Sequence, residues 1–155
     1  RNDRGITPYN LRNCAYMDDL DKQKILWGEI SDTPKFSIDL EGKYSPEATV
    51  FMMTGGHLEY LLCYLNSSYS EYFFAKYGTT TGMGTLRWKK YLVELLPIPP
   101  ASKSDEGRLK ELLGLLLFDN QFSLRNEIDK IIFDRFDCDE DERSFILASN
   151  KIGSH

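Results

Sequence analysis

Between His57 and Pro100 the apolar residues follow a helical rhythm first and a broken one afterwards. Leu58, Leu61, Leu62, Leu65, Tyr69, Tyr72 and Phe73 recur at i, i+3, i+4 and i+7. That spacing gathers them on one face and predicts a long amphipathic helix over 57–76, with a core beneath it. Either Thr54 or Gly56 can cap its start, and Lys76-Tyr-Gly78 suits its end, where a cation meets the negative terminus and glycine permits a left-handed exit. Upstream, Lys24–Ile30 is a short apolar and aromatic run, Phe36–Asp39 alternates at period two, and Ala48–Met53 is a third β-compatible segment. Leu40–Tyr44 reads as a hairpin connection in which Gly42 supplies a positive φ. Downstream, Val93–Ile98 reads as a strand that Pro97, Pro99 and Pro100 stop.

After Pro100 the pattern changes. Ala101–Gly107 reads as a linker. Leu109, Leu112, Leu113, Leu116 and Leu117 then mark one helix, and Leu124, Ile128, Ile131, Ile132 and Phe136 a second. Asp139 with Glu140 and Glu142 opens a third, because carboxylates favour the positive end of a helix dipole. The first 21 residues are polar and irregular, with a turn at Thr7-Pro8. The expected fold is therefore α+β: a small mixed sheet on a long amphipathic helix (1–100), followed by a C-terminal helical tail (101–155) that packs on the first part.

Composition narrows the class. The chain has 155 residues, 41% of them hydrophobic and 13% aromatic, which suits a folded domain. The net charge of −5 argues against a nonspecific nucleic-acid coat, and most of the acidity lies in the tail. Cys14, Cys63 and Cys138 are too few and too far apart for a disulfide framework or a CxxC metal pair, so a reducing cytoplasm is the expected setting. No apolar run approaches the roughly 18 residues a membrane helix requires. The chain opens on Arg1-Asn-Asp-Arg-Gly without an initiating Met and is expected to belong to a longer polypeptide.

Candidate chemistry concentrates after the long helix. From Lys76 to Lys90 every charged residue is positive: Lys76, Arg87, Lys89 and Lys90. They bracket a loop of Thr79, Thr80, Thr81, Gly82, Met83, Gly84 and Thr85. Arginine pairs bidentately with guanine and lysine with phosphate, so this basic edge suits a polyanion. A solvated surface turn has the same composition. The loop amides can form a phosphate nest or merely connect, but the Gly-Lys-Ser/Thr of a nucleotide-binding P-loop is missing. Trp88 can stack on a base or anchor the segment in the core, and the core is the favoured reading. Asp39, Glu41 and Lys43 admit a metal-dependent nuclease reading, with two carboxylates on Mg²⁺ and a lysine on the phosphate. Their place on an expected hairpin tip favours ordinary solvated charges. His57 is a lone histidine near a helix start and the only other, His155, is the last residue, so neither supports a metal site or a triad. Neither the Asn-Pro-Pro-aromatic signature of adenine methyltransferases nor a Gly-rich cofactor loop is present, so no cofactor is expected on this chain.

Four segments in order carry a resemblance: Ile25-Leu-Trp-Gly-Glu-Ile-Ser31 with Pro34-Lys-Phe36; Leu58-Glu-Tyr-Leu-Leu-Cys-Tyr-Leu-Asn-Ser67; Gly82-Met-Gly84 with Leu86-Arg-Trp-Lys-Lys-Tyr91; and Leu95-Leu-Pro-Ile-Pro99. Together they resemble the TaqI-like C-terminal specificity domain, the target-recognition part of type IIG restriction-modification enzymes and related adenine-specific DNA methyltransferases. The resemblance covers roughly residues 24–100. It implies a non-catalytic domain that selects a site on double-stranded DNA for a methyltransferase or endonuclease module elsewhere in the parent chain. S-adenosylmethionine, and Mg²⁺ if the parent cleaves, would belong to that module. The DNA-facing residues it implies are Lys76, Thr79, Thr80, Thr81, Gly82, Gly84, Thr85, Arg87, Lys89 and Lys90. Two alternatives stay open: a docking domain of the same enzyme that uses the helical tail, and the nuclease built on Asp39.

Overall fold

The computed structural model describes residues 17–82, 84–118 and 122–152. The turn expected at Thr7-Pro8, Cys14, Met83 and His155 lie outside them, as does the side chain of Leu117. Three strands, β1 (Lys24–Gly28), β2 (Phe36–Asp39) and β3 (Val50–Thr54), form a sheet in the order β2-β1-β3. Both pairings are antiparallel, where a mixed sheet was expected. β1 is central, so Leu40–Tyr44 does not join neighbouring strands as a hairpin. It is a loop that crosses from one edge of the sheet toward the other. Gly42 there has φ +68°, the expected left-handed turn, and any Cβ on it would collide with the Asp21 backbone.

The reason β1 takes the centre lies in its side chains. Ile25 and Trp27 are buried on the helix-facing side, and the Trp27 ring lies 5.4 Å from Phe36 and 5.5 Å from Phe51, its cross-strand partners on either flank. Lys24 is also buried, opposite Asp39 in the register, and its Nζ lies 2.9 Å from the Asp39 carboxylate. The same ammonium donates to the carbonyls of Leu20 at 2.6 Å and Lys22 at 3.1 Å. A buried ammonium with its charge paired and its donors used is tolerated in a sheet.

The predicted long helix is two: α1 (Leu58–Leu65) and α2 (Ser68–Tyr77). Asn66 and Ser67 break it. The Ser67 hydroxyl accepts from the Ser70 amide as the cap of α2, and the Asn66 side chain accepts from the Phe36 N–H and donates to the Phe36 carbonyl, both at 3.0 Å. Asn66 thus extends the ladder of the edge strand β2. Neither Thr54 nor Gly56 caps α1. His57 occupies that position with φ 59° and bonds through Nδ1 to Glu106 at 2.6 Å. Six of the eight residues of α1 are buried. That fits a helix covered on both sides, by the sheet and by the tail.

The apolar exit strand expected over 93–98 is also corrected. Lys90–Val93 forms a short helix, α3, and a turn follows. The proline carbonyls that a strand would have offered to a ladder accept instead from tyrosines of α1: Tyr64 Oη donates to Pro97 O and Tyr60 Oη to Pro99 O, each at 2.7 Å. The supposed linker is helical as well. α4 runs from Lys103 to Phe118, and Ser102 caps it in a reciprocal box with Asp105. α5 (Phe122–Arg135) and α6 (Glu140–Ile152) follow, the latter starting at Asp139 as expected, where the Glu142 N–H donates to Asp139 Oδ1 at 2.8 Å and the Asp139 N–H to Glu142 Oε2 at 3.0 Å. Leu109 and Leu112 of α4 and Ile128 and Ile132 of α5 are buried in the same core as Ile25, Leu62 and Trp88. The Asp129 carboxylate of α5 accepts from the amide and hydroxyl of Ser68, sitting on the positive end of α2.

Candidate nucleic-acid interface

The segment after α2 is a small β-hairpin: β4 (Thr79–Thr80) pairs antiparallel with β5 (Leu86–Arg87). Gly78 ends α2 as expected, for a different reason. Its φ of −72° is ordinary, but a Cβ would stand 2.5 Å from the Phe74 carbonyl and 2.7 Å from its ring. Only glycine lets the chain leave so close to Phe74. The hairpin tip closes on itself, with the Thr81 N–H donating to Thr85 O at 2.7 Å and the Gly84 N–H to Thr81 O at 3.0 Å. Those two amides are used inside the turn and are not offered to a phosphate nest. Gly84 has φ +89°, and Thr79, Thr80, Gly82 and Gly84 are exposed.

Trp88 fixes the base of the hairpin and lies in the core, as expected. It is 1% exposed, stacks on Phe74 at 3.8 Å and meets Phe36 edge-on at 5.6 Å. Its main chain ties β5 to the end of β1: the Trp88 N–H donates to Glu29 O at 2.6 Å, and the Ser31 N–H donates to Leu86 O at 3.2 Å.

The four cations have different surroundings. Lys76 is exposed, its Nζ 5.4 Å from the Tyr72 ring. Lys89 is half-buried, and its carbonyl starts α3. Lys90 is exposed, 3.7 Å from Glu94 one turn on, a spacing worth little in water. Arg87 is engaged: Nε donates to Glu29 Oε1 at 3.0 Å, and Nη2 donates to the same oxygen. No acidic residue lies between Glu71 and Glu94 in the chain, but the fold brings Glu29 to Arg87 from 58 residues away. Sequence reasoning missed Glu29. The available signal was a single acid at the end of an otherwise apolar strand run.

The nuclease reading fails on geometry. Asp39 is buried and paired with Lys24, and its carboxylate accepts the N–H groups of Glu41, Lys43 and Tyr44. Burial alone would raise its pKa. The Tyr44 amide, the Lys24 ammonium and the Lys43 amide outweigh it and hold the carboxyl well below its ordinary value. Lys43 pairs with Glu41 at the surface. Among the described residues no group of three or more His, Cys, Asp or Glu side chains is placed to hold a metal ion. Burial pushes the Cys63 thiol up to about 12, so it is an un-ionised core residue at neutral pH.

Among the described residues no helix is long and apolar enough to cross a membrane. No curated protein matches the chain. The family described as "TaqI-like C-terminal specificity domain" matches residues 4–98, which takes in the sheet, the helices α1, α2 and α3, the hairpin and the chain as far as Ile98. The chain belongs to the TaqI-like C-terminal specificity domain family.

Proposed function

We propose that this chain selects the DNA sequence on which a methyltransferase or endonuclease module of the same enzyme acts. Residues 1–100 form the recognition unit, and 101–155 brace it from behind through α4 and α5. The hairpin carries the reading: exposed threonines and glycines stand on a buried tryptophan anchor, flanked by Lys76, Lys89 and Lys90. Hydroxyls at Thr79, Thr80, Thr81 and Thr85 can donate to or accept from base edges, Gly82 and Gly84 let the backbone approach closely, and the lysines set the register on phosphates. Arg87 stands at the base of this surface. Double-stranded DNA and the catalytic module are the partners, and S-adenosylmethionine or Mg²⁺ acts on that module rather than here.

A labelled pool of duplexes with a randomised centre tests the reading. The chain should enrich a defined sequence, and its affinity should fall linearly in log–log form with salt, with a slope set by the few phosphates it neutralises. Equal retention of all duplexes, or binding indifferent to salt, would sink it.

A further inference from the structure

The Glu29–Arg87 pair decides what Arg87 can do. Its Nε and Nη2 both point at one oxygen of Glu29, with the side chains 37% and 23% exposed respectively for Arg87 and Glu29. Around it, Ile30 bridges to Arg87, the Trp88 amide bonds to Glu29 O, and the Glu29 amide bonds to Thr49 O. The pair thus spans the seam between the three-stranded sheet and the hairpin. Pulling Arg87 away onto a phosphate would leave the Glu29 carboxylate unneutralised beside the same polyanion, which opposes the exchange. Left together, the two charges cancel, so the pair adds almost nothing to counterion release.

We propose that Arg87 is a positioning residue, which with Glu29 clamps the β4–β5 hairpin to β1 and fixes the angle at which the threonine tip meets DNA. The inference rests on the DNA-recognition reading above and assigns a role in it to Glu29. It moves sequence choice away from the one arginine of the basic segment and onto the tip. It also leaves Lys76, Lys89 and Lys90 as the cations that set the salt dependence.

The test compares the full chain with Arg87→Ala, Glu29→Gln and the exchanged pair Glu29→Arg/Arg87→Glu. Each variant is measured against the duplex enriched by the wild type and against the unselected pool, and by hydrogen exchange at the Thr81 and Gly84 amides. Both single variants should lose preference for the enriched duplex by roughly tenfold, the scale of coupling between contacting residues. Both should exchange faster at the hairpin while α1 is unchanged, and Arg87→Ala should keep the wild-type salt slope, because the paired arginine neutralises no phosphate. The exchanged pair should recover both preference and protection. A different result overturns the proposal: Arg87→Ala lowers the slope by about one phosphate contact while Glu29→Gln binds and exchanges like the wild type. Arg87 would then touch DNA itself. Failure of the exchanged pair to recover anything, with its fold intact by circular dichroism, also counts against the clamp. If the wild type enriches no sequence, the DNA reading itself falls, and unchanged hairpin exchange in Glu29→Gln separately removes the clamp.

Discussion

The indole N–H of Trp27 donates to the main-chain carbonyl of Trp88 at 2.8 Å, across 61 residues of sequence. The Trp88 indole in turn donates to the Ser31 carbonyl at 3.0 Å, so each tryptophan satisfies the other's end of the seam. The hairpin is therefore held by buried, directional bonds as well as by stacking, and its base is part of the core.

Trp88→Ala should cost about 3–5 kcal/mol of folding stability, as expected for deleting a large buried aromatic side chain. Trp27→Phe keeps most of the ring contact but leaves the Trp88 carbonyl short of a donor, which should cost about 1–3 kcal/mol. Urea unfolding followed by circular dichroism measures both. A Trp88→Ala protein as stable as the wild type would mean that the ring is not packed between Phe74 and Phe36.

Lys89→Ala and Lys90→Ala should weaken binding to all duplexes alike and reduce the salt slope by about one each. Lys76→Ala should do the same, with the added loss of its contact to Tyr72. Filter binding over a salt series separates this general weakening from a change in preference. If all three slopes match the wild type, the basic edge is a solvated surface turn.

Asp39 predicts an acid-sensitive fold. Its native pKa lies below its ordinary value of 3.8, so the folded state binds that proton less readily than the unfolded chain. The stabilisation from this carboxylate is then complete above pH 3.8 and is lost as pH falls toward the native pKa. Asp129 has the opposite sign. Burial raises its pKa, against the two Ser68 bonds, so stability declines as pH climbs from 3.8 toward the native value. Asp39→Asn should lower stability at neutral pH and flatten the acid limb below pH 3.8, read by thermal melts across pH. An unaltered acid limb in that variant would place the titrating group elsewhere.

Truncation after Pro100 should uncover α1, because Leu109, Leu112, Ile128 and Ile132 are buried in the same core as Leu58 and Leu62. The shortened protein should bind a hydrophobic dye and lose its cooperative melt. A soluble monomer with the melting temperature of the full chain would make the tail a separate unit.

The elements most legible in the sequence were those with strong local signals. The period-two run at Phe36–Asp39, the helix end at Gly78 and the acidic start at Asp139 all appear where expected. The helix break at Asn66-Ser67 was concealed because the apolar spacing continues through it. Its cause is a contact with Phe36 thirty residues away, which no local pattern carries. The place of β1 at the sheet centre is likewise a nonlocal choice, made by Trp27 pairing with Phe36 on one side and Phe51 on the other. Pro97 and Pro99 suggested a stopped strand, but their carbonyls needed only donors, which the tyrosine hydroxyls of α1 supply. For the candidate site, the sequence marked the basic cluster and the loop and could not show that Glu29 arrives beside Arg87.

Gly78 and Trp88 together mark where this domain can be re-engineered. The glycine cannot accept a side chain without driving a Cβ to 2.5 Å from the Phe74 carbonyl, and the tryptophan is locked into the core. Between them, a side chain at Gly82 or Gly84 would meet open space, although the left-handed φ at Gly84 still favours glycine. A library that varies Thr79–Thr85 between fixed ends would therefore change the tip without disturbing the scaffold, and a transplant that crosses either end would import a different core.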